Sequence, residues 1–153
     1  MTEQQVLSKL TALCARSEHC QQDMIDKMRK WEVDETVQAR IMEYLLRESF
    51  VDDARYARFF INDKIKFNRW GKQKVAQALR MKRIAESVYA PMLDEVQDEN
   101  YLETLRPLIQ AKRRSVKGNS DYEIRGKLIR FALSRGFDMD LILKVLDEEE
   151  TDG

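Results

Sequence analysis

Residues 24–42 read MIDKMRKWEVDETVQARIM, residues 75–93 read VAQALRMKRIAESVYAPML, and residues 128–146 read LIRFALSRGFDMDLILKVL. Aligned at offsets of 51 and then 53, the three stretches share one skeleton. Met24, Val75 and Leu128 open it, and Met28, Leu79 and Ala132 follow one helical turn later. Val33, Ile84 and Phe137 stand alone after a break. Val37, Val88 and Leu141 resume the pattern, and Met42, Leu93 and Leu146 close it. Apolar residues spaced by a helical turn mark one buried face. The skeleton predicts a helix, a break with one apolar anchor and a second helix, three times over.

A further helix precedes each copy. Val6, Leu10, Leu13 and Cys14 mark the first; another begins at Asp52, with Ala57, Phe60 and Ile61 on one face; Leu102, Leu105 and Ile109 mark the last. The expected fold is all-α, with nine helices in three tandem three-helix repeats. Their expected ranges are residues 1–51, 52–97 and 98–153. A unit of about 50 residues is marginal alone, so the repeats should stack into an elongated body, straight or curved. Asp34 and Asp52 are expected to cap the helices they precede, and Ser120 or Asn119 the eighth. Pro107 should either start a helix or kink one.

Composition excludes the competing classes. Of 153 residues, only 5 are Gly and 2 Pro, too few for the turns of a sandwich or barrel. The hydrophobic share of 43% argues against disorder. No apolar run approaches the roughly 18 residues of a membrane span. The first residues lack the basic start and apolar core of a signal peptide. Cys14 and Cys20 are too few for a disulfide scaffold, so a cytoplasmic protein with reduced thiols is expected.

The 27 basic and 27 acidic residues cancel, but in blocks. Residues 52–83 hold 10 basic and 3 acidic residues, and 106–135 hold 9 and 2. Residues 84–105 hold 6 acids and no base, and 136–153 hold 7 acids and 1 base. Salt screens fields beyond about 8–10 Å, so a ligand would meet the blocks and not their sum. The order reads either as solvated helix faces or as a surface for a mixed partner of acidic protein and phosphate.

Catalytic chemistry is not signalled. His19 is the single histidine. Beside Cys14 and Cys20 it lacks the four ligands of a structural zinc site, so a helix–helix turn is the expected reading. No glycine motif of a nucleotide or acyl-transfer site is present. Neither enzyme activity, a metal nor a cofactor is expected. The basic blocks are the informative feature. Phe59 lies among cations on an outward helix face, placed for a partner or for the next repeat. Asn68-Arg69-Trp70-Gly71-Lys72-Gln73-Lys74 combines cations with a helix start, whose free N–H groups and lysines suit phosphate. Trp70 there reads as a core anchor or a stacking platform. In the third repeat, Tyr122, Ile129 and Leu133 oppose Ile124, Leu128 and Phe131, so that helix should be sandwiched between repeats or against a partner.

The residues of the central block resemble a known family. Asp52-Asp53-Ala54-Arg55-Tyr56-Ala57, then Gly71-Lys72-Gln73-Lys74-Val75 and Leu79-Arg80-Met81-Lys82, resemble the central motif of the RecX regulatory proteins. Ala15-Arg16-Ser17-Glu18-His19-Cys20 resembles the family's first turn, and Lys127-Leu128-Ile129-Arg130-Phe131 with Arg135-Gly136-Phe137 its third-repeat motif. Arg83 and Glu32 stand where the family has Gly, so those two helix ends are expected to terminate differently. Cys20 replaces a capping Ser.

The resemblance implies three three-helix repeats and a cytoplasmic regulator of DNA repair, recombination and the SOS response. It implies that the partner is the RecA recombinase filament on single-stranded DNA, whose ATP hydrolysis and strand exchange are inhibited, with DNA itself a second partner. A DNA-binding protein that competes for the strand is the alternative. The contact candidates are Arg55, Phe59, Lys64, Lys66, Arg69, Lys72, Lys74, Arg80, Lys82 and Arg83 in the second repeat. In the third they are Arg113, Arg114, Lys117, Arg125, Lys127 and Arg130.

Overall fold

The computed structural model describes residues 1–152, and among these the chain forms nine α-helices and no strand. They are α1 Glu3–Arg16, α2 Gln21–Lys30, α3 Glu35–Arg47, α4 Asp53–Lys66, α5 Lys72–Met81, α6 Glu86–Asp94, α7 Asp98–Ser115, α8 Asp121–Ser134 and α9 Met139–Asp152. The all-helical, tandemly repeated architecture expected from the sequence is present. By its contacts the chain divides into two compact bodies, residues 1–59 with 79–89 and residues 60–78 with 90–153.

The repeat skeleton has a local physical cause. Each middle helix ends in the same turn. Glu32, Arg83 and Gly136 are left-handed, with φ of 56°, 57° and 94°. Val33, Ile84 and Phe137 then donate their N–H to the carbonyls of Met28, Leu79 and Ala132, at 3.0, 3.2 and 3.1 Å. Glu32, Arg83 and Gly136 donate to Arg29, Arg80 and Leu133 at 3.0, 2.9 and 2.9 Å. This paired bond pattern is the Schellman motif, which sets an apolar residue past the turn against one in the last helical turn. The isolated anchors and the residues five positions before them are those two partners. The expectation that α2 and α5 end differently for lack of Gly is therefore wrong. Glu32 and Arg83 adopt the left-handed conformation themselves, at a cost of about 1 kcal/mol each.

In the first body, Val6, Leu10, Met24, Met28, Ile41, Leu45 and Val51 form one buried cluster, with Trp31, Val33 and Val37 packed against it. In the second, Leu102, Leu105, Ile109, Leu128, Ala132, Phe137, Ile142 and Val145 are buried, and the Tyr101 and Phe137 rings lie 5.0 Å apart. Asp34 accepts the Thr36 N–H, Asp52 that of Arg55 and Ser120 that of Glu123, each at 3.1 Å, so the expected caps are made. Pro107 lies inside α7, which removes the option that it begins a helix. The poor cap at Cys20 is compensated from elsewhere. The Asp23 carboxylate accepts the Cys20 N–H at 3.3 Å, and Asp53 accepts the Gln21 N–H at 2.8 Å.

Candidate partner-binding surface

The central motif is largely architectural. Arg55 directs Nε at both Glu18 carboxylate oxygens at 2.9 Å and donates from Nη2 to the carbonyls of Ser49 and Phe50 at 3.0 and 3.3 Å. Asp53 is spent on the start of α2. Lys82 Nζ meets Asp23 Oδ1 at 2.6 Å. Burial raises the Asp23 carboxyl, but the bonds from Lys82, the Cys20 N–H and His19 outweigh it and hold the group below its ordinary value. The same Asp23 bond, working against partial burial, raises Lys82. Arg55 and Lys82 thus clasp the first body; they are not open contact groups.

Three N–H groups at the start of α5 are already taken. Gly71 N–H donates to the Arg135 carbonyl at 2.7 Å, Lys72 N–H to the Tyr101 hydroxyl at 2.8 Å and Gln73 N–H to the Gly136 carbonyl at 3.0 Å. Phosphate capture by these amides is therefore corrected: the chain's own oxygens occupy them. Lys72 Nζ also turns inward, to the Val96 carbonyl at 3.2 Å. Lys64 and Lys74 lie 5.2 and 4.4 Å from the centre of the Trp70 ring, which meets Phe60 edge-on. Trp70 is half-buried and acts as an anchor, with its face covered by cations.

In the third repeat, part of the charge cancellation is internal. Arg106 forks onto Glu148 at 3.0 and 3.2 Å, Arg113 bonds Glu149, and Arg125 reaches Glu150 and Asp147 at 2.7 and 3.1 Å. The Arg106 bond holds the Glu148 carboxyl below its ordinary value. The acidic end of α9 thus neutralises α7 and α8, and Arg113 and Arg125 are not free cations. Block sums could not reveal this, because pairing needs the third helix folded back on the first two. The compositional hint was an acidic tract following a basic one within a single repeat.

What remains outward defines the candidate surface. Lys66 and Arg69 flank Phe67, which is 74% exposed at the end of α4. Arg80 and Arg83 flank Met81, which is 76% exposed. Phe59 is exposed. Lys112 on α7, Lys117 in the loop after it, and Lys127 and Arg130 on α8 line a groove beside Phe131, and Arg114 is exposed. Within it Lys112 Nζ lies 4.9 Å from the Phe131 ring centre, and Lys127 bonds both Glu123 and the Lys117 carbonyl. Lys66, Arg69, Arg80, Arg83, Arg114, Lys117 and Arg130 make no side-chain bond to any described residue. Sequence reading named all seven but missed Phe67 and Met81, which only their exposure identifies.

The cysteine and histidine cluster is structural. Cys20 is fully buried, and burial pushes its thiol up to about 11. Cys14 donates to the Met24 sulfur at 3.8 Å. His19 bridges Ser17 and Asp23 at 3.2 and 3.3 Å. Among the described residues, no group of His, Cys, Asp and Glu is placed to hold a metal, and no helix is long and apolar enough to cross a membrane.

Fold and surface together define a helical-repeat protein whose outward cations are separated from a self-paired charge framework. The family model for the second three-helix domain of RecX matches residues 52–90, and that for the third matches residues 98–146. The regulatory protein RecX of Acinetobacter baylyi is 29% identical over 139 residues, 91% of this chain and 84% of that protein. That of Clostridium botulinum is 33% identical over 125 residues, but this chain spans only 58% of its length. A crystal structure of regulatory protein RecX superposes with a TM-score of 0.87 at 19% identity, over 95% of this chain and 73% of that one. RecX from Lactobacillus salivarius gives 0.84 at 18% identity, over 97% of both chains. The structures share the fold. The chain belongs to the RecX family of regulatory proteins.

Proposed function

We propose that this protein regulates the RecA recombinase by binding its filament on single-stranded DNA and inhibiting ATP hydrolysis and strand exchange. Family membership supports the partner. The observation that carries the mode of action is the separation of cations into two sets. One set, Arg55, Lys82, Arg106, Arg113 and Arg125, is paired within the chain. The other, including Lys66, Arg80, Arg114 and Lys117, faces outward without an internal partner. Binding that favours one filament state over another would inhibit without any chemical step in this protein. The protein belongs to no reaction; its residues act by charge and shape. The family's place in repair and recombination, and a cytoplasmic location, go with this reading.

The test titrates purified protein into RecA assembled on single-stranded DNA. Expected are a saturating fall in ATP hydrolysis and strand exchange, and tighter binding to the filament than to bare DNA. Unchanged RecA activity at saturation would overturn the reading. The groove of Lys112, Lys117, Lys127 and Arg130 favours a second reading, direct competition for the DNA strand. It predicts steeply salt-dependent binding to bare DNA. Under it, Lys117→Glu with Arg130→Glu abolishes inhibition and DNA binding together; inhibition that survives loss of DNA binding rejects it.

A further inference from the structure

The end of α9 carries its charge against the helix dipole. α4 and α7 end in cations, Lys64 and Lys66 in one and Lys112, Arg113 and Arg114 in the other. Cations there complement the negative end of the dipole, and acids oppose it. α9 has no base in its last turn, and from residue 147 the sequence reads Asp-Glu-Glu-Glu-Thr-Asp-Gly. That stretch holds no apolar residue, whereas Ile142, Val145 and Leu146 before it are buried. Burial docks α9 as far as Leu146; beyond it no apolar side chain is available to hold the helix down.

The acids that follow make contacts of two kinds. Glu148 takes a two-pronged bond from Arg106, at 3.0 and 3.2 Å. The other three are held more loosely. Asp147 and Glu150 share Arg125, and their side chains stay 66% and 67% exposed. Glu149 meets Arg113 through Oε2, while its Oε1 is buried and finds no partner among the described residues. Exposed ion pairs stabilise little, and a buried carboxylate oxygen without a donor destabilises. These three carboxylates give the fold little, yet they take two arginines from the surface.

The two arginines neighbour the open cations. Arg113 follows Lys112 on α7, and Arg125 lies two residues before Lys127 on α8. Lys112 and Lys127 line the basic groove. An arginine fork binds the paired oxygens of a carboxylate or of a phosphate. The acids of α9 therefore occupy the donors that strand phosphates would need if the groove's cations ran on to Arg113 and Arg125.

We infer that Asp147, Glu149 and Glu150 form an autoinhibitory mask, which occupies Arg113 and Arg125 until a DNA strand in the groove displaces it. The inference rests on the reading of that groove as a DNA contact and does not depend on the recombinase. The two arginines, expected from the sequence as partner contacts, are then contacts conditional on release.

Asp147→Asn with Glu149→Gln and Glu150→Gln tests it in the full chain, because Glu148 and the buried face of α9 remain. Binding to fluorescent oligo(dT) is measured across a salt series. The control is Glu35→Gln with Glu43→Gln and Glu48→Gln, which removes the same charge from exposed acids on and beside α3. The mask variant should bind at least fivefold tighter than wild type, and the control should change less than twofold. Its log–log salt slope should steepen by about 1.4, at about 0.7 for each of two further phosphates. Adding Arg113→Gln and Arg125→Gln should abolish the gain. Asp147→Asn with Glu150→Gln frees Arg125 alone through two exposed positions, and should give half the added slope even if the triple variant folds poorly. A gain no larger than the control's, or one that survives loss of both arginines, would overturn the mask by reducing it to net charge. Oligo(dT) affinity within twofold of wild type for both mask variants would overturn it and leave the proposed regulation of the recombinase intact. A gain for polyglutamate and none for oligo(dT) would overturn it by making the arginines a protein contact. If neither wild type nor variants bind oligo(dT), the mask and the DNA reading of the groove fall together, while inhibition of RecA ATP hydrolysis by the same preparations tests the proposed function separately.

Discussion

The turn at Gly136 and the turn at Arg83 have the same backbone and opposite demands on their residue. Both are left-handed, and both close a Schellman motif. At Arg83 the conformation is the whole requirement: the side chain is exposed and makes no bond. At Gly136 the turn is also a docking platform. Its carbonyl accepts the Gln73 N–H, and the neighbouring Arg135 carbonyl accepts that of Gly71. A Cβ on Gly136 would stand 2.5 Å from Lys74 N and Cβ. The second turn is steadied differently, by side chains, because Lys82 next to it is tied to Asp23. One position in a repeated turn can thus serve conformation alone and its counterpart serve contact as well. Only the second is irreplaceable.

The largest expected effect follows from that difference. Gly136→Ala forces a side chain into both a left-handed φ and a backbone overlap, and should cost about 3 kcal/mol or more. Gly71→Ala, on the other side of the same contact, should be comparably damaging. Urea unfolding of the two variants measures this. A loss under about 1 kcal/mol would mean that the platform yields and the two turns are equivalent.

Tyr101 belongs to the same platform. Its hydroxyl accepts the Lys72 N–H at 2.8 Å, and burial pushes its pKa upward. Tyr101→Phe leaves that amide without an acceptor and should cost about 1–3 kcal/mol. A loss near zero would show that water replaces the hydroxyl.

Side-chain docking of the second turn should show in pH dependence. The Asp23 pKa is lowered from 3.8, so its contribution is present above that value and fades as pH falls through the depressed one. The Lys82 pKa is raised from 10.5, so its contribution is present below that value and fades as pH rises through the elevated one. Lys82→Met should therefore destabilise between those limits and matter least outside them. The Lys82 side chain is 41% exposed, so solvent screening holds the effect to about 1–2 kcal/mol. Paired pH–stability curves that stay parallel across the range would show that the ion pair adds nothing.

How much was legible in the sequence follows the same division between local and distant causes. The repeat was readable because Met28 and Val33, Leu79 and Ile84, and Ala132 and Phe137 are coupled through bonds closed within six residues. The caps at Asp34, Asp52 and Ser120 were readable for the same reason. The fate of the cations was not. Arg125 and Lys117 look alike along the chain, but Arg125 meets acids 22 and 25 residues away and Lys117 meets none. The amides at the start of α5 looked free because their acceptors, Tyr101, Arg135 and Gly136, lie far along the chain. Candidate contacts were thus named by type, and only the fold sorts the clasps from the open groups.

The smallest expected effect is a gain. Glu32→Gly relieves a left-handed residue that is exposed and has no side-chain bond. The variant gives back part of that relief, because glycine loses more conformational entropy on folding. The net should be a stabilisation of about 0.5 kcal/mol or less, read as a higher urea midpoint with an unchanged slope. Arg83→Gly should gain a similar amount while removing one outward cation, so its stability and its filament binding should move in opposite directions. If Glu32→Gly instead destabilises, the left-handed turn is not strained in this repeat. The resemblance between the first two turns and the third would then hold for geometry but not for energy.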